Sequence, residues 1–456
     1  MRVLAALLAL LLVAAGAVFF VSGRAAAPVI TITQPSSAVG ISGTYDVSVE
    51  APRGAFGRIE VDLEQGTSRV PLFSLASPGA ATVKQETADR IRITGAIGKR
   101  AIPTLESGTA RLVIKATRPV LFGLRTREAA STRDFRVVLT PPRISVISTH
   151  HFVNHGGAEF VVYRLTPPEA TSGVRVGERL YAGHALSGAG APGADASLKA
   201  AFFALLWDQD VNTPIELFAS DEAGNEAVAQ FEHRVFAKPF LRSRIELTPA
   251  FLQKVVPEIL GETSDFKAEG GTAANLLPAF LQINRDLRRK NAEQIAALAS
   301  RTSPTMLWKG AFLQLANSQV ESKFADRRTY FYEGKEVDRQ VHLGFDLAVT
   351  ANVPVLAENS GIVVHAGYLG IYGSCVILDH GMGVQSLYAH LSSIDVKVGD
   401  HVEQGRIIGR SGMTGLAGGD HLHFAMLVGG WPVSPVEWWD PHWVEDRVTR
   451  KIQEAR

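Results

Sequence analysis

Short apolar runs separated by turn residues dominate the chain from residue 28 to about residue 236. In runs such as residues 29–33, 45–49 and 111–115, apolar and polar positions alternate with period two. Alternation of this kind, bounded by Gly, Pro and Ser, is typical of half-buried strands, and many such runs indicate a β-sandwich. Residues 143–147 repeat the opening pattern. The sequence therefore predicts two β-sandwich domains, over residues 28–140 and 141–243.

The pattern changes between residues 244 and 304, where apolar positions recur at helical spacing. Thr248 is a candidate N-cap, and Pro249 stands at the first helical position, where its missing N–H costs nothing. We interpret this segment as a helical linker. A gate over the following domain is the alternative. From residue 305 to 445 strand patterns return, which predicts an antiparallel-β domain, followed by a charged, exposed C-terminal tail over 446–456.

Residues 3–21 are continuously apolar, with Arg2 before them and Arg24 after them. About 20 apolar residues can cross a bilayer as a helix, whereas the core of a secretory signal is usually shorter. We therefore expect residues 1–27 to be an uncleaved signal anchor, with a cleaved signal peptide as the alternative. In either case the rest of the chain is exported.

Composition excludes some classes of function. Lys and Arg number 46 against 45 Asp and Glu, so the balance of charge gives no support for a nucleic-acid partner. The single cysteine, Cys375, excludes an intramolecular disulfide framework. It lies in an apolar strand pattern and is interpreted as a small buried residue.

Four histidines and one aspartate suggest a catalytic metal centre: His342, Asp346, His390, His421 and His423. Zinc binds neutral imidazole nitrogen and carboxylate oxygen, and a catalytic site uses three protein ligands. Two further histidines would remain to move protons.

The spacing of these residues places constraints on the backbone. His421 and His423 would share one face of a strand, roughly 7 Å apart, while Leu422 would face the core. On a straight strand His342 and Asp346 would be roughly 13 Å apart, too far to share one ion. The backbone between them must therefore turn or bulge, and Gly344 is placed where this costs least.

The run from about residue 327 to 440 resembles the lysostaphin-type (LytM-like) zinc metalloendopeptidases. Their signature, H-x-x-x-D followed by H-x-H, matches His342, Asp346 and His423. The resemblance implies that these three residues bind one Zn²⁺ per chain and that His390 and His421 are the catalytic non-ligand histidines. It implies no other cofactor. His421 is expected to take the proton of water, and His390 to stabilise the oxyanion or protonate the leaving amine. His380 lacks a matching partner and is interpreted as a structural turn residue.

The resemblance implies a peptidoglycan hydrolase that cuts peptide cross-links. The anchor places it in the bacterial inner membrane as a single-pass protein, with its catalytic part in the periplasm. A direct D-alanyl–meso-diaminopimelate bond is the expected substrate. A turn at residues 221–225 resembles the closing hairpin of bacterial immunoglobulin-like domains, so both sandwiches are predicted to be of this type. A catalytically silent activator of another wall hydrolase and a zinc D,D-carboxypeptidase are the alternatives. A regulatory protein partner is expected but not identified.

Overall fold

The structure, a computed structural model, divides the chain into two compact units that are described separately. One unit is Met1–Pro142 with Ser220–Ala227, and the other is Arg143–Ala219 with Val228–Arg456. The structure describes residues 2–22, 24–54, 56–269, 272 and 275–455. Both units are dominated by strands, which confirms the prediction of a mostly β chain.

In the first unit, strands of alternating pattern form two sheets with the orders β1-β3-β7-β6 and β2-β9-β8-β4-β5. The strands are β1 (Val29–Gln34), β2 (Ala38–Val39), β3 (Gly43–Glu50), β4 (Ile59–Gln65), β5 (Ser68–Ser74), β6 (Thr82–Thr87), β7 (Arg90–Ile97), β8 (Gly108–Val120) and β9 (Arg125–Val137). Inward residues of the two sheets, Val47 and Ile93 from one and Leu63 and Ile114 from the other, belong to a single buried cluster. The two sheets therefore share one core.

Helix α1 (Arg2–Ser22) precedes these strands. The predicted leader at 1–27 falls partly outside the described residues, at positions 1 and 23, and the side chains of residues 2–5 and 22 are not described. Within the part of the chain that is described, no helix combines the length and the apolar character needed to cross a membrane. The anchor and its alternative stay predictions.

Another set of strands follows, which lies in the second unit except for the last residue of β17 and the first two residues of β18. These are β10 (Arg143–Val146), β11 (His151–Asn154), β12 (Ala158–Thr166), β13 (Thr171–Val176), β14 (Arg179–Ala182), β15 (His184–Ala185), β16 (Leu198–Ala204), β17 (Ile215–Ser220), β18 (Glu226–Gln230) and β19 (His233–Phe236). Their sheets have the orders β10-β12-β16-β15, β14-β13-β17-β18 and β11-β19. The immunoglobulin-like type of either β region stays a prediction.

The segment predicted to be helical follows strand β20 (Arg242–Glu246). It contains α2 (Pro249–Glu262), α3 (Leu277–Gln282) and α4 (Arg288–Leu298), with a π-helical turn between α3 and α4. Thr248 caps α2 by accepting a hydrogen bond from the N–H of Phe251, as the sequence predicted. Positions 270, 271, 273 and 274 lie outside the described residues.

The remainder of the second unit is mainly antiparallel. It comprises β21 (Gln319–Ser322), β22 (Asp326–Tyr332), β23 (Lys335–His342), β24 (Phe345–Ala348), β25 (Pro354–Leu356), β26 (Gly361–Tyr368), β27 (Ser374–Gly381), β28 (Val384–Leu391), β29 (Ser393–Ile394), β30 (His401–Val402), β31 (Ile407–Arg410), β32 (His421–Val428), β33 (Trp431–Val433), α5 (Val436–Trp439), α6 (Pro441–Val444) and α7 (Arg450–Glu454). Its largest sheet has the order β21-β24-β32-β28-β27-β26-β30, with β33 beside β32. Smaller sheets are β20-β22-β23 and β25-β31-β29.

One hydrophobic cluster joins the strands of the 143–236 region to this sheet. Phe202 and Phe203 from β16 belong to the same cluster as Phe424 from β32 and Trp438 from α5. The predicted boundaries at 243, 304 and 445 stay predictions. The expectation of an exposed C-terminal tail is wrong at Lys451, whose side chain is buried with 3% of the residue exposed. Helix α7 packs on β12, and the ammonium group of Lys451 pairs with the buried carboxylate of Glu159.

His380 is a structural residue, but it lies in strand β27 and not in a turn. The ring is fully buried. Its Nδ1–H donates to the carbonyl of Ser360 at 2.7 Å, and Nε2 lies 2.7 Å from the hydroxyl of Ser386. Burial lowers the pKa of His380 to about 4. The folded protein therefore holds this imidazole in its neutral form at neutral pH.

His380 should make stability depend on pH. Its pKa lies near 6.5 when unfolded and near 4 when folded, so the unfolded chain binds more protons between these values. Stability is present above pH 6.5 and is lost as pH falls towards 4, by up to about 3 kcal/mol from this residue. Urea unfolding measured between pH 6.5 and pH 4 should show that the free energy of unfolding falls less steeply with decreasing pH in His380→Gln than in the native protein. His401→Gln, at an exposed position, should match the native protein. Equal slopes for all three would contradict the assignment.

Candidate metal centre

The chain brings His342 and Asp346 together by passing from one sheet to another between them. His342 is the last residue of β23, which pairs with β22. Asp346 lies in β24, which pairs with β32 in the largest sheet. Because the backbone changes sheets, His342 Nε2 lies 2.9 Å from Asp346 Oδ1, where a straight strand would separate the residues by roughly 13 Å. The turn that the spacing required is therefore present.

His423 completes the group from the neighbouring strand. It is the direct partner of Asp346 across the β24–β32 ladder. Its Nδ1 lies 3.0 Å from Asp346 Oδ1 and 2.9 Å from His342 Nε2. Leu422 and Phe424, its neighbours along β32, are buried in the core on the opposite face. Strand alternation thus separates the polar site from the apolar interior.

Gly344 leaves room for the ring of His423. A Cβ at this position would lie 2.6 Å from His423 Nε2 and 2.7 Å from the carbonyl oxygen of Phe424. Both contacts are shorter than any van der Waals contact allows. The sequence predicted a turn of the backbone at Gly344. The structure gives a second reason for glycine at this position, because any side chain would displace the ring of His423.

His390 and His421 face each other beside this group, with ring centroids 4.9 Å apart. Each ring is oriented by a backbone carbonyl that accepts from Nδ1–H: Thr414 O at 2.8 Å for His390, and Gly419 O at 2.9 Å for His421. His421 Nε2 lies 3.5 Å from Asp346 Oδ1. His390 has a φ of 62°, a left-handed conformation that non-glycine residues rarely adopt and that is often found at functional sites.

The protonation states suit metal binding. Burial lowers the pKa of His423 to about 4 and that of His390 well below its ordinary value. Burial alone would raise the pKa of Asp346, but the adjacent histidines, His342 first, hold it well below its ordinary value. Burial also lowers the pKa of His421, yet the Asp346 carboxylate outweighs it and raises the pKa overall. The Asp346 carboxyl is therefore ionised and the imidazoles of His423 and His390 are neutral, and ionised carboxylate and neutral imidazole are the forms that bind metal ions.

His342, Asp346 and His423 fit a metal ion. Two imidazole nitrogens and one carboxylate oxygen, all buried, converge with 2.9–3.0 Å between them. His342 Nδ1–H can donate to the carbonyl of Lys323 at 3.2 Å, which leaves the lone pair of Nε2 directed at the centre. Two facing nitrogen lone pairs and a carboxylate need a shared cation between them. Among the described residues, this is the group with such a geometry.

Arg328 is a site residue that the sequence analysis missed. Its Nη2 bonds Asp346 Oδ2 at 2.9 Å and also donates to Ser322 Oγ at 2.7 Å. Ser322 Oγ in turn lies 3.1 Å from His342 Nδ1. Arg328 thus holds the oxygen of Asp346 that faces away from the histidines. Strand alternation in β22 turns Arg328 towards the site and leaves the adjacent Arg327 exposed. Neither arginine is distinctive in the sequence.

The five predicted residues line a groove with a volume of about 280 Å³. Besides these residues, the walls are formed by residues from the helical segment, from β22 and from the 371–372 and 416–419 loops. Prominent among them are Phe251, Phe280, Arg288, Tyr330, Ile371 and Tyr372. The helical segment therefore forms part of the candidate site.

Comparison with known proteins identifies this region. The sequence profile of peptidase family M23 matches residues 340–435, a range that contains the five predicted site residues. Residues 340–435 form a peptidase family M23 domain. The resemblance that the motifs indicated is thereby confirmed. The M23 domain contains the central strands of the largest sheet, including β24 and β32, which carry Asp346 and His423. Metal ligation is typical of its family.

Curated relatives match parts of this chain. The DD-carboxypeptidase/endopeptidase Mpg of Neisseria meningitidis is 40% identical over 97 residues, which are 21% of this chain and 22% of that protein. The peptidoglycan DD-endopeptidase ShyA of Vibrio cholerae is 30% identical over 163 residues, 35% of this chain and 34% of that protein. Lysostaphin of Staphylococcus staphylolyticus is 43% identical over 90 residues, 19% of each chain. The chain thus spans between 19% and 34% of the length of these relatives.

Replacing Arg328 should weaken the metal site of the M23 domain. Arg328→Gln removes the charge that holds Asp346 Oδ2, so the carboxylate loses its fixed orientation. Outer partners of metal ligands commonly contribute 10- to 100-fold in affinity. We expect zinc affinity, measured by competition with a chromophoric chelator, to fall by about tenfold or more. The exposed neighbour provides the control, and Arg327→Gln should bind zinc like the native protein. Unchanged affinity in Arg328→Gln would contradict this role.

Proposed function

We propose that this chain is a zinc metalloendopeptidase that hydrolyses peptide cross-links of peptidoglycan, with the D-alanyl–meso-diaminopimelate bond as its target. The convergence of His342, Asp346 and His423 beside a second pair of histidines carries the proposal. Three ligands and two proton-moving groups in one groove are what metal-assisted hydrolysis requires.

Zinc is the metal that the donor set favours. Two imidazole nitrogens and one carboxylate oxygen are a common three-ligand set for catalytic zinc, one ion per chain. His342 would bind through Nε2, His423 through Nδ1 and Asp346 through Oδ1, the atoms that converge. When bound, zinc supplies Lewis-acid activation of the scissile carbonyl and of the attacking water.

His421 and His390 move the protons in this proposal. Both rings donate Nδ1–H to backbone carbonyls, so both can use Nε2 for proton transfer in the groove. The Asp346 carboxylate lies 3.5 Å from His421 Nε2, which favours uptake of the proton of water by His421. His390, whose ring lies 4.9 Å away, then serves the oxyanion or the leaving amine.

The relatives support peptidoglycan as the substrate. The names of Mpg and ShyA both include an endopeptidase activity, and ShyA is named as a peptidoglycan DD-endopeptidase. The periplasmic side of a bacterial inner membrane, reached through residues 1–27, is the location that this substrate requires. Anchoring by this segment belongs to the proposal, and so does an unidentified protein regulator.

A D,D-carboxypeptidase activity is the second candidate. The name of the Mpg relative combines this activity with endopeptidase activity. Both reactions would use the same zinc and the same histidines, and they differ only in the size of the amine that leaves the scissile bond. A catalytically silent activator is less well supported, because the five expected residues are present and meet in one groove.

Product analysis tests the main proposal. The zinc-loaded chain should convert purified cross-linked muropeptide dimers into intact monomers, as measured by mass spectrometry. His421→Ala should lower the rate by about 100-fold or more, the usual contribution of a general base. It should retain zinc, since His421 is not among the converging ligand atoms. A chelator should abolish activity in every sample.

The exposed His401 offers a control in the same unit, and His401→Ala should act like the native chain. Release of single terminal D-alanine without loss of dimers would replace the endopeptidase with the carboxypeptidase. Unchanged dimers with zinc bound would favour the activator.

The loop that orients His390 is anchored by helix α2. Glu258 Oε1 accepts from the N–H of Gly415 at 2.7 Å and from the hydroxyl of Tyr368 at 3.2 Å. Lys254 donates to the carbonyl of Ala417 at 3.1 Å. Since Thr414 O binds His390, these contacts fix the loop beside a proposed catalytic residue. The helical segment therefore supports the site. The gate interpretation stays a prediction.

Removing the contacts of Glu258 with the loop distinguishes a helical segment that supports the site from one that acts as a gate. Glu258→Ala deletes two hydrogen bonds to the loop and its neighbour, so His390 loses a fixed acceptor. A lost hydrogen bond of about 1 kcal/mol corresponds to about fivefold in rate, and we expect kcat to fall by roughly that factor. Glu262→Ala, an exposed change on the same helix, should leave kcat unchanged. A rise in kcat for Glu258→Ala would instead support a gate.

A further inference from the structure

Arg288 contributes a positive charge to the catalytic groove that no acidic side chain neutralises. The residue begins helix α4 and lines the same groove as His342, Asp346 and His423. Among the described residues, no carboxylate lies within ion-pairing distance of its guanidinium. The other groove-lining arginine, Arg328, is paired with Asp346.

The guanidinium is held in place by a neutral residue. Arg288 Nη2 donates to Asn284 Oδ1 at 2.6 Å, and Nε donates to the Asn284 carbonyl at 3.1 Å. Asn284 is fully buried and fixed by Asp338 Oδ2 at 2.8 Å. A guanidinium has five N–H donors, so several remain for a ligand. The acidic partner that could neutralise this region, Asp338, is instead engaged by Arg285 at 2.8 Å.

Arg288 and Tyr372 line the same groove as the metal site. Burial raises the pKa of Tyr372, and the charge of Arg288 offsets part of that rise. The Tyr372 ring lies 5.6 Å from the ring of His423, centroid to centroid. Phe251 and Phe280 supply an apolar wall of the same groove. An unpaired cation beside apolar walls favours an anionic group on an otherwise peptide-like ligand.

Glu321 is the one groove-lining acid besides Asp346 within the described residues. It belongs to strand β21, whereas Arg288 is the first residue of helix α4. The groove therefore carries an unneutralised positive charge where the helical segment forms its wall. A neutral substrate would leave this charge without a partner.

We propose that Arg288 binds a free carboxylate of the peptide substrate next to the scissile bond and selects anionic cross-links over neutral bridges. The inference rests on the proposed function. In a D-alanyl–meso-diaminopimelate bond, the residue that supplies the amine carries a free carboxylate one carbon from the scissile nitrogen. A glycine bridge has no such group. A bidentate guanidinium–carboxylate pair would fix that residue with its amide directed at the metal site.

The test compares two cross-linked peptides that differ only in this group, one with the free carboxylate and one with a carboxamide. Binding is measured by calorimetry on zinc-loaded His421→Ala, so the result does not depend on cleavage. We expect the carboxylate peptide to bind about tenfold or more tightly. Adding Arg288→Gln should remove this preference by weakening binding of the carboxylate peptide alone.

Arg289→Gln, at an exposed position paired with Glu293 on the same helix, is the matched control and should keep the preference. Arg288→Lys keeps the positive charge but loses the planar guanidinium that can bind a carboxylate through two hydrogen bonds. This variant should retain part of the preference for the carboxylate peptide. Equal affinity for both peptides, an unchanged preference in Arg288→Gln, or no binding of the carboxylate peptide would each overturn the inference. Native-chain kinetics separate the two proposals, because carboxylate-selective binding without any cleavage would overturn the hydrolase and leave the role of Arg288 standing.

Discussion

The whole site depends on the interactions of the Asp346 carboxylate with its neighbours. One of its oxygens faces His342, His421 and His423, and the other is bound by Arg328. A buried carboxylate is costly unless it is paired and hydrogen-bonded, so these neighbours keep it ionised in the interior. The same charge organises the imidazoles around it, because each directs a nitrogen towards one oxygen. Loss of any one partner would therefore disturb the positions of the others.

Two sheets must meet for this carboxylate to be surrounded. His342 and Arg328 come from the sheet β20-β22-β23, while Asp346 and His423 come from the largest sheet. The break at residues 343–344 is where the chain crosses between them, and Gly344 permits it without displacing His423. The helical segment then packs on the smaller sheet, since Tyr330 of β22 belongs to the cluster that holds Phe280 and Ile371. The metal site and one wall of its groove thus depend on the same strand pairing.

The three residues that the sequence suggested as metal ligands converge in the structure, whereas most residues that form the walls of the groove were not predicted. Spacing alone showed that His342 and Asp346 needed a turn between them and that His421 and His423 share a strand face. Arg328 and Arg288 could not be found in this way, because their roles arise from tertiary packing. Arg288 begins a helix whose register against Tyr372 no local pattern specifies. His380 was predicted to lie in a turn, whereas strand β27 continues through it to Gly381. Arg288 is left without an acidic partner because Asp338, distant in sequence, is engaged by Arg285.

The C-terminal helix α7 packs against strand β12 of the 143–236 region. Lys451 is buried against β12, where it donates to Glu159 Oε1 at 2.9 Å and to the Phe160 carbonyl at 2.8 Å. Removal of the 143–236 strands would leave this ammonium without a partner, a loss that typically costs several kcal/mol. It would also expose the Trp438 surface that packs on Phe202, with ring centroids 5.7 Å apart. Residues from both regions therefore belong to one core. The 143–236 strands are part of the folding unit that carries the M23 domain, and a role limited to binding a separate partner would not explain this shared interior.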